Sequence, residues 1–407
     1  MGTISICTQS RSNACICIRI NSSRQAAPRL WAVHAVSVIS GSRYSPRQKR
    51  RGHHFSAKIG PGDKTMPLCD WGFRLFNLRS FATAALALSA LFSSHGFAQD
   101  GVRFLNDWRW EGQASPLAVA MQGGFKKAKL DVTVTPGTGS AATVQKVASG
   151  EFDIGLGDFS ALVEFAARNP NVAPPVAVYV LYERTPAALF VRSKFDLKSI
   201  EGKSIAAPQF DGGRKLWPAF SKSEDIKAVA WQNVDAVARE KNFASGQYDA
   251  ITGFYFTTML NLEREGMSGT LYKVFPFYES GVRLYGNVLI VNPKFMAANP
   301  KAVKTFVRAY HDAVKFAVKD TDAAIEFLKE VDPKIDTKLE WRRARLAFDR
   351  FVDTPTVRAT GLGTLDMARV QAGIDVVADA FKLPMKPSAA TLATTEFLPP
   401  RSERSLY

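Results

Sequence analysis

Ala148-Ser149-Gly150-Glu151-Phe152-Asp153-Ile154-Gly155-Leu156-Gly157 returns further along the chain as Ala244-Ser245-Gly246-Gln247-Tyr248-Asp249-Ala250-Ile251-Thr252-Gly253. Each copy reads as a helix stopped by a glycine, then a short apolar strand with a glycine at its carboxyl end. Upstream lies a second pair of related segments. Val132 to Val144 runs through Pro136 into Gly137-Thr138-Gly139-Ser140, and Ser204 to Trp217 runs through Pro208 into Asp211-Gly212-Gly213-Arg214. Both read as strand, Gly-rich turn and helix. Strands that alternate with helices favour parallel pairing, so the repetition predicts an α/β protein with two similar lobes. Ligands of open α/β sheets bind beyond the carboxyl ends of the strands, so two such edges facing one another form a cleft.

Outward from these copies the pattern continues. Val102 to Leu105 is an apolar strand, a helix follows over Pro116 to Gln122, and Leu130 to Thr135 alternates as a strand. After Asn292 the chain turns helical. Asn299 and Pro300 open a long amphipathic run to Lys319, and further helices are expected at Ala323 to Glu330, Thr337 to Phe351 and, capped by Thr364, Leu365 to Phe381. These are expected to pack outside the lobes. His311 falls in this helical part and reads as a packing or surface residue.

The first 99 residues differ from the rest. They hold 13 of the 53 basic side chains and 2 of the 37 acidic ones, so +11 of the formal +16 lies there and +5 on the remainder. All four cysteines (Cys7, Cys15, Cys17, Cys69) and four of the five histidines are also found there. The main body therefore lacks the residues for a Cys nucleophile, a Cys/His zinc site, an iron–sulfur cluster or a disulfide framework, and no metal or cofactor is expected. A charge of +5 over some 300 residues also argues against nucleic acid as a partner. Residues 66–98, with Arg74 and Arg79 before the apolar run Phe81 to Phe92 and with Gly96 and Ala98 after it, read as a signal peptide. The run is too short to cross a bilayer. Residues 1–65 lack a sustained helical or strand period and read as a disordered or non-native extension. The body from Gln99 on exceeds what one hydrophobic core serves.

Several short motifs in order, Asp107-Trp108, Gly124-Phe125, Leu130-Asp131-Val132, Pro136 to Ala142, Ala148 to Asp153, Gly202-Lys203-Ser204, Tyr248-Asp249-Ala250 and Tyr285-Gly286-Asn287, resemble the NMT1/THI5-like substrate-binding proteins of ABC importers. The resemblance spans nearly the whole body. It implies a type II periplasmic-binding fold with crossovers near Tyr179 to Arg184 and Leu289 to Asn292, so that residues 99–184 and 289–407 form one lobe and 185–288 the other. It further implies a monomeric periplasmic protein that captures a pyrimidine, sulfonate, nitrate or organic acid and hands it to a membrane permease, or alternatively to a membrane sensor. Where pyrimidine-binding relatives have a His after the Asp-Trp pair, this chain reads Arg109-Trp110-Glu111-Gly112. Thiaminases and a fungal pyrimidine synthase share the fold, but they use a Cys nucleophile or a Cys-rich motif with an active His, which the body lacks.

The candidate ligand residues follow from chemistry. Gly137, Thr138, Gly139 and Ser140, like Gly212 and Gly213, allow close approach of the backbone at a helix start whose first N–H groups are unpaired. Trp108, Tyr182 and Tyr255 offer aromatic surface for a flat molecule. Glu111 and Asp158 accept hydrogen bonds from amino groups, and Arg214 can clamp an anion. Hydrolysis by a carboxylate pair stays open at this stage.

Overall fold

The chain divides into two units, Met1–Leu78 and Arg79–Tyr407. The computed structural model describes residues 101–407 and two strands near the start of the chain, β1 (Thr3–Gln9) and β2 (Cys15–Asn21). Those two strands pair antiparallel from Thr3↔Asn21 to Gln9↔Cys15. The reading of residues 1–65 as lacking a strand period is corrected there, since Ile4/Ile6 and Ile16/Ile18/Ile20 recur at the period of two that a ladder needs. The signal peptide assigned to residues 66–98 lies outside the described residues.

Within residues 101–407 the strands form two five-stranded sheets. The first has the order β4-β3-β5-β12-β6, built from β3 (Val102–Leu105), β4 (Val132–Thr135), β5 (Ile154–Asp158), β6 (Val176–Val180) and β12 (Asn287–Val291). The second has the order β11-β7-β10-β8-β9, from β7 (Ala187–Arg192), β8 (Ser204–Ala206), β9 (Ala230–Gln232), β10 (Ala250–Phe254) and β11 (Tyr272–Pro276). In each, three parallel strands are followed by two that run antiparallel to their neighbours. The repeated decapeptides end in β5 and β10, which hold the same place in their sheets. The upstream pair does not correspond: β4 is an edge strand, whereas β8 sits one strand in. Strand, Pro, Gly-rich turn and helix is local chemistry and carries no sheet position.

The two lobes fasten this unit with the same devices. Asp153 accepts the backbone N–H of Arg103 on the neighbouring strand at 2.8 Å, and Asp249 accepts that of Ser204 at 3.4 Å. At the far end, Asn292 Nδ2 donates to the carbonyl of Val147 (2.7 Å) and Arg192 Nη2 to that of Phe243 (2.6 Å), closing the last turns of the preceding helices. Gly150 and Gly246 stop those helices with φ of 82° and 90°, a region open chiefly to glycine.

The chain leaves the first sheet after Val180, enters the second at Ala187, and returns between Pro276 and Asn287. The crossing expected at Leu289 to Asn292 is thus displaced: those residues lie in and just after β12. Gly286 marks the real crossing. A Cβ there would meet Pro186 Cδ at 2.8 Å and Tyr182 Cβ at 2.9 Å, so only glycine lets the two connections touch.

Helices α1 (Ser140–Ser149), α2 (Phe159–Arg168), α3 (Gly212–Ser223), α4 (Arg239–Ala244) and α5 (Tyr255–Arg264) flank the sheets. α6 (Pro300–Lys319) covers the first sheet, with Phe306 stacked on Phe104 and Phe125 at centroid distances of 5.3 and 4.9 Å. α7 (Thr321–Val331) and α8 (Thr337–Ala347) follow. α9 (Met367–Ala380), capped by Asp366 and not by Thr364, packs against α2 of one lobe and α3 of the other. No helix among the described residues is long and apolar enough to cross a membrane.

Candidate functional site

The carboxyl ends of β3, β4 and β5 and the start of β12 meet at one edge of the first sheet. The loop after β3 is held there by its neighbour, because Asn106 N–H donates to Thr135 C=O at 2.9 Å. The turn after β4 then presses onto this loop. Gly137 donates to Trp108 C=O (3.2 Å) and Gly139 to Asp107 C=O (2.7 Å). A Cβ on Gly137 would lie 2.0 Å from the carbonyl oxygen of Asn106, and Gly139 has φ of 141°, so glycine is required at both. The contact delivers Asp107 to the start of α1, where its Oδ2 accepts from Ser140 Oγ at 3.2 Å and from Asn287 Nδ2 at 2.6 Å.

Asn287 and Asp158 face each other across the β12–β5 ladder. Asp158 caps α2 by accepting Ser160 N–H at 2.9 Å, and Ser160 Oγ also donates to it. Burial pushes the Asp107 carboxyl up to about 6; the nearby charge of Asp158 adds to this, while the bonds from Asn287 and Ser140 oppose it. Burial likewise raises Asp158 against the bonds from Ser160. Three polar atoms on this edge are buried and have no hydrogen-bond partner among the described residues: Trp108 Nε1, Gln113 Oε1 and Asn287 Oδ1.

The opposite wall comes from the second sheet. Asp211 caps α3 through Arg214 N–H (2.9 Å), accepts Thr252 Oγ1 (2.7 Å) and pairs with Arg239 Nη1 (3.1 Å). Arg239 also pairs with Glu240 at 2.7 Å. Lys215 of α3 reaches across to Glu164 of α2 and joins the lobes. Phe210, Phe254 and Phe256 supply aromatic surface there, Phe381 at the end of α9 adds to it, and the walls enclose about 460 Å³, the size of a small-molecule site.

Of the residues singled out in the sequence, Trp108, Thr138, Gly139, Ser140, Asp158, Tyr182 and Gly212 line this cavity. Five do not. Gly137 lies behind the turn it shapes. Gly213 packs on Thr252, whose Cβ would be 2.9 Å from a Cβ there. Arg214 turns away, donating to Ala207 C=O (2.9 Å) with its guanidinium over Trp231. Tyr255 packs edge-on against Phe351 under the Arg350 guanidinium. Glu111 stands one layer back, accepting from Gln113 Nε2 at 3.2 Å and Thr257 Oγ1 at 3.4 Å, both on cavity residues, and facing Arg343 at 3.8 Å. Residues not singled out include Asp107, Asn287, Asp211 and Arg239. The first two lie inside the quoted motifs Asp-Trp and Tyr-Gly-Asn and Asp211 inside the quoted turn Asp211-Gly212-Gly213-Arg214, which was the available signal.

The NMT1/THI5-like family model matches residues 112–324. Among curated proteins, 4-amino-5-hydroxymethyl-2-methylpyrimidine phosphate synthase THI13 of Saccharomyces cerevisiae is 24% identical over 272 residues, covering 62% of this chain and 77% of the relative. Two solved structures are similar in fold. The alkanesulfonate-binding protein SsuA of Xanthomonas axonopodis pv. citri, bound to MOPS, has a TM-score of 0.56 and 15% identity over 72% of this chain and 98% of its own. The aliphatic sulphonate-binding protein SsuA of Escherichia coli has a TM-score of 0.56 and 12% identity over 71% and 96%. The chain belongs to the NMT1/THI5-like family and has the two-lobed fold of type II periplasmic binding proteins.

Proposed function

We propose that this chain is the periplasmic solute-binding component of an ABC importer, capturing a small, flat, polar molecule between its lobes and handing it unchanged to a membrane permease. The observation that carries this reading is the cavity itself. It draws on both lobes, its first-lobe wall holds buried polar atoms without partners, and its second-lobe wall adds Phe210, Phe254 and Phe256. Unpaired buried polar atoms are costly, and a ligand that pairs them while stacking on Trp108 recovers that cost. Neither wall encloses the molecule alone, so ligand contacts to both favour a closed arrangement, a hinge motion the general repertoire includes for periplasmic binding proteins. The sulfonate-binding relatives in fold support the class of function.

A second reading is a pyrimidine-processing enzyme, which the curated relatives named as phosphate synthases favour. The cleft supplies it with neither thiol nor imidazole. The one histidine after residue 99, His311, is buried on α6 between Tyr179 Oη (3.3 Å) and the Glu403 carbonyl (3.3 Å), and burial lowers its pKa. X-ray scattering on exported protein, stripped and then reloaded with the molecule it released, separates the two readings. Compaction with the molecule recovered unchanged supports binding, whereas recovery of an altered molecule supports the enzyme.

A further inference from the structure

We propose that the cleft is built for an organic cation, a flat molecule whose amino or amidinium group sits between Asp107 and Asp158 with its ring against the aromatic wall; this rests on the solute-binding reading above. Four acidic side chains line the cavity, Asp107, Asp158, Glu164 and Asp211, against two basic ones, Lys215 and Arg239. Both bases are engaged, Arg239 with Asp211 and Lys215 with Glu164. Asp107 and Asp158 are left with no basic partner among the described residues. Each commits one oxygen to the fold, Oδ2 of Asp107 to Ser140 and Asn287 and Oδ1 of Asp158 to Ser160. The other oxygens take no hydrogen bond from a side chain among the described residues, though the backbone N–H groups of Asp107 and Ala161 bear on the two carboxyls.

Two further acceptors point the same way. Asn287, 2% exposed, holds Oδ1 unpaired because its amide nitrogen serves Asp107, and Gln113 holds Oε1 unpaired because its nitrogen serves Glu111. Buried acceptors and uncompensated carboxylates are satisfied by N–H donors carrying positive charge. Two of the three helix starts at the cleft, where an anion would seat, are already capped from within. A helix start attracts negative charge; α2 is capped by Asp158 and α3 by Asp211, and the start of α1, which has no side-chain cap, has Asp107 beside it on the Ser140 hydroxyl. A sulfonate at the start of α1 would enter beside two carboxylates, with no unpaired cation lining the cavity among the described residues. An acceptor on the ring has the Trp108 indole N–H.

Calorimetry with a pair of probes that share a ring and differ in charge, benzamidine and benzenesulfonate, tests this at neutral pH. Benzamidine should bind the parent, Asp107→Asn and Asp158→Asn should each weaken it tenfold or more, and benzenesulfonate should give no binding heat. The parent comparison needs no variant, so a misfolded mutant does not decide the outcome. The proposal falls if benzenesulfonate binds the parent as tightly as benzamidine, if benzamidine does not bind, or if both Asn variants, folded by thermal melt, bind it like the parent. A sulfonate that binds, compacts the protein and returns unchanged would remove the cation and leave the solute-binding reading standing. Chemical conversion of a bound molecule would strike that reading instead.

Discussion

The two lobes share a frame and differ at the cleft. Asp153 and Asp249 pin equivalent strands, Asn292 and Arg192 close equivalent helices, and Gly150 and Gly246 stop them. At the site the likeness ends. The second lobe pairs its buried carboxylates Asp211 and Glu240 with Arg239, while the first leaves Asp107 and Asp158 without a basic partner and three buried polar atoms unpaired among the described residues. On the proposal above, this repeated scaffold carries one lobe for recognition and one that closes over it. Removing one partner of a buried ion pair is strongly destabilising, whereas a carboxylate without a partner has no such pair to lose.

The comparison breaks most visibly at Arg239. Arg239→Ala leaves Asp211 and Glu240 buried without their cation and should lower unfolding free energy by about 3–5 kcal/mol in a denaturant titration. A loss below about 1 kcal/mol would mean that the second lobe's charges are not structural.

Asp107 should behave in the opposite way. Its carboxyl is raised from 3.8 to about 6 in the folded protein, so the folded state holds a proton that the unfolded state has lost across that interval. Stability from this group is present below pH 4 and is lost as pH rises towards 6. Asp107→Asn should flatten that slope and leave the ligand-free protein at pH 7 as stable as the parent or more so, by about 1–3 kcal/mol. The affinity for a cationic probe has the reverse sign, falling as pH drops through 6 and Asp107 takes up its proton. Asp158 faces the same space, and the phenols of Tyr182 and Tyr310 nearby stay protonated, since burial raises both. Melting curves and calorimetry at pH 5 and pH 7.5 check the two signs together.

Trp108→Ala should weaken ligand binding by about 1–3 kcal/mol, through loss of a stacking face and an N–H donor, and leave the melting temperature nearly unchanged. Arg214→Ala is the smallest effect, below about 1 kcal/mol in stability from its lost contact with Trp231 and none on affinity. Equal losses of affinity in these two variants would return Arg214 to the site and dissolve the division between lobes.

The duplicated frame was legible because helix stop, strand and glycine are written in adjacent residues. So was the Pro136 to Ser140 turn, whose glycines state their own backbone demands. The site was half legible. Asp158 and Trp108 stand next to recognisable elements, but Asn287 reaches Asp158 only through the β12–β5 register, and register between distant strands leaves no local mark. Arg214 follows a Gly-Gly pair at a helix start, as an anion clamp should. The fold uses Asp211 as the cap there and turns Arg214 to Trp231, a choice set by Thr252 and Arg239 from other strands and helices.

The claim that the first lobe holds the ligand by an unpaired pair of carboxylates is met most directly by mass spectrometry of the small molecule released from protein purified after export. The account predicts a flat molecule with a basic nitrogen. A sulfonate or carboxylate without any basic nitrogen, occupying most of the protein, would contradict it.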